Sequence, residues 1–207
     1  MNKFALRAVC AAAGFAALGM PMWAHAESVI QTGAGALTAS ARLDFRVTIP
    51  RVLFLQVGTG TPMATNTGIN LIDFVVPAAN AGDGTPITAT AGSGDLGSGT
   101  VTARVLGNAG AVTLTSTTLG ALSNGVDTLS FSQIGTAATA NTTGSVLAAP
   151  ALADGATTTT VVPAAASIVN RDARWTFSYL NAALVPPGTY GGAGTNNGRV
   201  TYTASMP

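Results

Sequence analysis

Residues 36–50, ALTASARLDFRVTIP, alternate between apolar and polar side chains over almost their whole length. The odd-numbered positions from 39 to 49 are apolar, and the positions between them are polar or charged. Only a β-strand, whose side chains repeat every two residues, places such a row on one face. Residues 36–49 would span roughly 46 Å as a strand, whereas typical strands have about five or six residues. The pattern therefore predicts an unusually long strand near the start of the chain.

The residues before this segment have the pattern of a secretory signal peptide. Lys3 and Arg7 precede a short apolar run, and residues 24–26 have the small-x-small form of a cleavage site. The apolar run is shorter than the about 20 residues that a membrane-spanning helix needs. We therefore expect residues 1–26 to be removed on export and predict no membrane span in the mature chain.

The remaining residues, 27–207, are predicted to form one β-sandwich domain. Its N-terminal extension is expected to cover about residues 27–42, before the larger apolar residues of the alternating row. An exported chain of this kind is expected at the cell surface, in a fimbrium or in the extracellular medium, which it reaches through the periplasm.

The charged residues exclude several classes of function. Of the nine basic residues, two lie in the predicted signal peptide, and the other seven are all arginines. No lysine, cysteine or histidine follows residue 26. A catalytic triad would therefore lack its histidine, and the usual zinc and iron sites would lack their ligands. The scattered aspartates lie mostly in glycine-rich turns, where such a side chain binds its own backbone. We therefore predict no enzymatic activity, no cofactor or metal, and no nucleic-acid partner, which would need a clustered basic face.

Short alternating or apolar runs, separated by Gly, Asn and Pro, fill the rest of the chain. They predict an all-β protein, an antiparallel sandwich or barrel. The stretch 135–167 is rich in Ala and Thr and weakly patterned. The other predicted strands lie within residues 51–57, 69–77, 86–90, 99–107, 111–116, 127–135, 157–163, 174–180 and 198–205.

The two ends of the chain resemble a known family. The C-terminal stretch VPPGTYGGAGTNNGRVTYTASMP joins a Pro-Gly-Thr-Tyr turn, a glycine- and asparagine-rich link and a last strand that alternates at Val200 and Tyr202. This ending, together with the alternating segment followed by RVLFLQVG, resembles chaperone–usher pilins and spore-coat-U-like secreted domains. The resemblance implies an incomplete immunoglobulin-like β-sandwich, completed by strand exchange with a neighbouring subunit. The chain departs from many such pilins because no disulfide can form after residue 26.

The resemblance also implies a function and partners. The chain is expected to be a non-enzymatic structural subunit of a surface fibre or matrix polymer, whose partners are copies of itself, a periplasmic chaperone and an outer-membrane usher. The larger residues at 43–49 are expected to pack in the core of their own domain, and the small residues before them to begin the donated part. The residues predicted for strand exchange are Leu37, Ala39, Ala41, Leu43 and Phe45.

A second function remains open at this point, a secreted monomeric adhesin or glycan-binding module. Its ligand platform would consist of Trp175, Phe177 and Tyr179, which share one face of a predicted strand. Three aromatic residues with this spacing more often pack in a core.

Overall fold

The computed structural model describes residues 27–207, so the predicted signal peptide lies outside the described residues. The chain divides into two units, of which the first ends at Ile49 and the second is Pro50–Pro207. We call the second the sandwich unit. The extension was predicted to end near residue 42, but the sandwich unit begins only at Pro50. Within the described part of the chain, no helix is long and apolar enough to cross a membrane.

The sandwich unit is built of short strands and two short 3-10 helices, Ala78–Asn80 and Phe131–Gln133. The strands are β1 (Leu53–Val57), β2 (Ile87–Thr88), β3 (Thr100–Gly107), β4 (Val112–Thr118), β5 (Leu122–Ser123), β6 (Thr128–Leu129), β7 (Ile134–Thr139), β8 (Thr157–Val162), β9 (Val169–Tyr179) and β10 (Val200–Ser205).

Two antiparallel sheets hold most of these strands. The first has the order β1-β3-β9-β2, with β7 also paired to β9, and the second has the order β10-β4-β8. This confirms the predicted all-β antiparallel sandwich. Strands β1, β3, β4, β9 and β10 occupy the positions of strands A, B, C, E and F of an immunoglobulin-like sandwich. In that fold a strand G pairs with F, whereas among residues 27–207 the corresponding β10 pairs with β4 alone.

The core lies between the two sheets, and alternate residues of β3 and β4 point into it. Every second residue of these strands is buried, while the residues between them, most of which are threonines, are partly exposed. The buried residues that pack together are Val101, Ala103, Val105, Val112, Leu114, Leu147, Val162, Val169, Ala173, Trp175 and Phe177. The threonines therefore form the outer surface of a half-solvated sheet, as expected for such strands.

The predicted ligand platform is wrong, because its three residues are core residues. Trp175 is fully buried, and Phe177 and Tyr179 are nearly so. The indole Nε1 of Trp175 donates a hydrogen bond to the carbonyl oxygen of Leu147 at 2.7 Å, and its ring lies 5.3 Å from the Tyr202 ring. Aromatic side chains packed in this way cannot present a surface to a glycan.

Three of the strands predicted after residue 50 differ from the structure. The predicted strand 127–135 is divided into β6, the 3-10 helix Phe131–Gln133 and the start of β7, because the side chain of Ser130 accepts a hydrogen bond from Ser132 N and caps the helix. Residues 69–77 contain no strand, although Ile72 and Phe74 still pack against the core. The reason is local, since the backbone of Asp73 binds Ser93 and Thr90 in a neighbouring loop instead of a ladder. Strand β9 begins five residues before the prediction, because its start carries polar side chains that interrupt the apolar alternation.

Candidate functional site

The alternating segment, residues 36–49, belongs to no strand and contains no turn or bend. Its apolar row is highly exposed, with Phe45 at 86% and Val47 at 82%. The prediction that its larger residues pack in the core of their own domain is therefore wrong. The fully buried core residues come instead from β3, β4, β8, β9 and Leu147. The residues predicted for strand exchange, 37, 39, 41, 43 and 45, are likewise all exposed.

The polar row of the same segment carries an ion pair. Arg42 Nε lies 2.8 Å from Glu27 Oε2, and Arg42 Nη2 donates to Glu27 Oε1 at 3.1 Å. The hydrogen bonds from Arg42 lower the pKa of Glu27, and the same contact raises the pKa of Arg42. Exposed pairs contribute little to stability. The pair does mark the polar face, which leaves the apolar row without charged neighbours on its own side.

On one side of the sandwich, β1 pairs only with β3 and β10 only with β4 among residues 27–207, and we call this side the open edge. The two strands contact each other although they belong to different sheets. At Gly107, a Cβ atom would lie 3.4 Å from Met206 Sδ and 3.8 Å from Leu53 Cδ1, so these two side chains flank the same point. Neither β1 (LFLQV) nor β10 (VTYTAS) contains a charged residue.

The burial of the inward-facing side chains shows that the open edge lacks cover. The core-facing residues of β3 and β4 are almost completely buried, but those of β1 and β10 are only partly so. Burial raises the pKa of Tyr202 well above its usual range, so this phenol stays neutral at physiological pH. The partly buried residues that line the open edge and pack on the core are Leu55, Val57, Tyr202, Ala204 and Met206. A strand with apolar, uncharged side chains on one face would complete their burial.

The opposite side of the sandwich is closed by residues 141–154. Leu147 and Pro150 of this segment are fully buried. Leu147 N donates to Asp172 O on β9 at 3.2 Å, and Ser116 Oγ on β4 donates to Ala151 O at 2.8 Å. The segment therefore joins the two sheets where no regular strand does. At the open edge, by contrast, β1 and β10 pair with no further strand among residues 27–207.

A buried carboxylate holds this closing segment in place. The backbone N–H groups and the hydroxyl groups of Thr142 and Thr143 all donate to Asp172, which is 1% exposed. The carboxylate therefore serves as an anchor. Between residues 27 and 207, no three His, Cys, Asp or Glu side chains are grouped closely enough to hold a metal ion.

The sequence did not predict the open edge as a binding surface. The signal was present, because RVLFLQV and RVTYTAS both alternate, but alternation alone does not distinguish an edge strand from a central one. The alternating segment was recognised, but its exposure was not. Comparison of the chain with protein-family models, curated proteins and solved structures gives no match.

Proposed function

We propose that this chain is an exported structural subunit of a surface fibre or matrix polymer. Each copy would donate part of the alternating segment, residues 36–49, to the open edge of another copy. One observation carries the proposal, namely that residues 27–207 contain both an exposed, alternating segment that belongs to no strand and a sandwich edge whose strands pair on one side only. The two surfaces are complementary in hydrogen bonding and in polarity.

The chemistry is that of β-augmentation. The outer backbone edge of β10 would supply ladder hydrogen bonds, and the apolar row would cover the partly buried side chains of the open edge. β10 has six residues, whereas the alternating segment is more than twice as long. Only part of the segment is therefore needed to complete one sandwich.

The same open edge indicates which partners the protein would need before assembly. Partly buried apolar residues beside unpaired backbone groups favour aggregation. A periplasmic chaperone and an outer-membrane usher would cover this edge before assembly. The second function, a monomeric glycan-binding module, receives no support, because its platform of Trp175, Phe177 and Tyr179 is buried.

Removal of residues 27–49 tests the proposal. We expect the purified full chain to form polymers and the truncated chain to remain monomeric, as measured by size-exclusion chromatography with light scattering and by negative-stain microscopy. A matched control keeps the length and composition of residues 36–49 but scrambles their order so that the alternation is lost, and it should also stay monomeric. Polymers from the truncated chain would refute the proposed role of the segment.

A further inference from the structure

The chain is tightly held immediately after the alternating segment. Asn108, in the turn between β3 and β4, binds the backbone on both sides of Arg51. Its Nδ2 donates to Pro50 O at 2.8 Å, and its Oδ1 accepts from Val52 N at 2.8 Å. Its own backbone N donates to Val52 O at 3.3 Å. We call this set of contacts the Asn108 clamp.

The Asn108 clamp continues the pairing of β1 with β3 by one position. Leu53 pairs with Gly107 in the ladder, and Val52 faces Asn108 directly before it. Pro50 then adds a fixed φ and has no N–H to donate. The turn itself is anchored, because Gly110 N donates to Ser167 O at 3.0 Å. The backbone of residues 50–52 is thus committed to the direction of β1.

We propose that the Asn108 clamp prevents the alternating segment from filling the open edge of its own sandwich, and so reserves that edge for a second copy of the chain. This inference rests on the proposed function. To pair beside its own β1, the segment would have to reverse direction before Leu53. A hairpin needs a loop of about two to five residues.

Only three residues separate Ile49 from Leu53, and the clamp holds two of them. Reversal must therefore either break the clamp or use the last residues of the segment as the loop. The second route leaves residues 36–46, which are still long enough to pair with β10, but the inserted strand then buries two fewer large apolar side chains, Val47 and Ile49. Both routes favour insertion into another copy.

Two variants test the clamp in the full-length protein. Asn108→Ala removes both side-chain hydrogen bonds, and insertion of Gly-Ser-Gly-Ser between Ile49 and Pro50 provides a loop while leaving the clamp intact. We expect Asn108→Ala to raise the fraction of self-closed monomer by roughly fivefold or more, the effect of about one net hydrogen bond. The insertion should raise the same fraction, because it supplies a loop of sufficient length. Asn124→Ala is the control, because it removes similar bonds to Val126 N and Asp127 N in another turn.

Self-closed monomer is identified by protection from trypsin. Arg42 and Arg46 lie within the alternating segment, so an inserted segment should resist cleavage at both, while an exposed one should not. The inference is overturned if the insertion variant assembles like the wild type and its monomers are cleaved at these sites, whether or not Asn108→Ala folds. If the wild type does not assemble, the proposed function fails, and protected monomers in the variants alone would still support the clamp.

Discussion

Replacement of Phe45 by aspartate is expected to convert the assembled protein into monomers. Phe45 lies in the middle of the exposed apolar row, so the change should leave the sandwich unit folded. On insertion beside β10, however, the carboxylate would face the apolar core of another copy without a partner. Burial of an unpaired charge costs several kcal/mol, which is enough to abolish assembly at ordinary concentrations. Size-exclusion chromatography and negative-stain microscopy measure the loss, and circular dichroism checks the fold.

Thr48→Asp is the matched control for this variant. It adds the same charge to the same segment, but on the polar row, which would face solvent after insertion. We expect it to assemble nearly as the wild type does. Equal loss of assembly in both variants would mean that total charge, and not the apolar row, controls association.

Replacement of Asp172 by alanine is expected to destabilise the sandwich unit by about 3 kcal/mol. The side chain is buried, and its loss leaves the N–H and hydroxyl groups of Thr142 and Thr143 without their acceptor. Asp95→Ala is the control, because Asp95 accepts a single hydrogen bond from Thr102 N and should cost about 1 kcal/mol. Urea unfolding of the truncated chain, residues 50–207, gives both free energies. Equal losses would show that the closing segment does not depend on this anchor.

The same anchor predicts a specific loss of stability in acid. Desolvation acts to raise the pKa of Asp172, but the hydrogen bonds from Thr142 and Thr143 outweigh it and lower the pKa from 3.8 to about 2. The folded state therefore binds its proton at lower pH than the unfolded state. The stabilisation is complete above the unfolded value and is lost as the pH falls from 3.8 towards about 2. The Asp172→Ala chain should lack this part of the pH dependence.

The sequence predicted the strands whose environment is regular. β3 and β4 alternate strictly and are buried on one face only, so period and fold agree. Residues 69–77 form a largely apolar run that also predicts a strand, but they form none, because the side chain of Ser93 and a loop amide take up the hydrogen-bonding groups of Asp73. Which backbone groups find a ladder partner depends on tertiary contacts, and a single alternating run carries no information about them.

The candidate site was predicted only in part, for a similar reason. Alternation predicted a strand over residues 36–49, whereas the structure assigns them to no strand, and it could not tell whether the apolar row meets its own core. The larger side chains of residues 43–49 suggested that these residues belong to that core. The core instead contains Leu147, from the weakly patterned stretch 135–167. The anchor of that stretch, Asp172, lies in a polar run that the pattern did not mark as buried.

The most direct test of donated-strand assembly is an intermolecular disulfide. The only cysteine of the sequence is Cys10, in the predicted signal peptide. In residues 27–207, an introduced cysteine can therefore form a disulfide only with another introduced cysteine. Donor copies carry one change, Asp44→Cys, Arg46→Cys or Thr48→Cys. Acceptor copies carry Thr203→Cys on the outer face of β10, since adjacent strands bring same-face side chains within disulfide reach.

The predicted result is a disulfide-linked dimer of one donor and one acceptor copy, formed on mixing with one of the three donors and identified by mass spectrometry. Chains that carry both cysteines should link into ladders of increasing mass. Two results would contradict the donation of residues 36–49 to another copy. In the first, polymers form but none of the three donors cross-links to Thr203→Cys. In the second, doubly substituted chains link only within themselves.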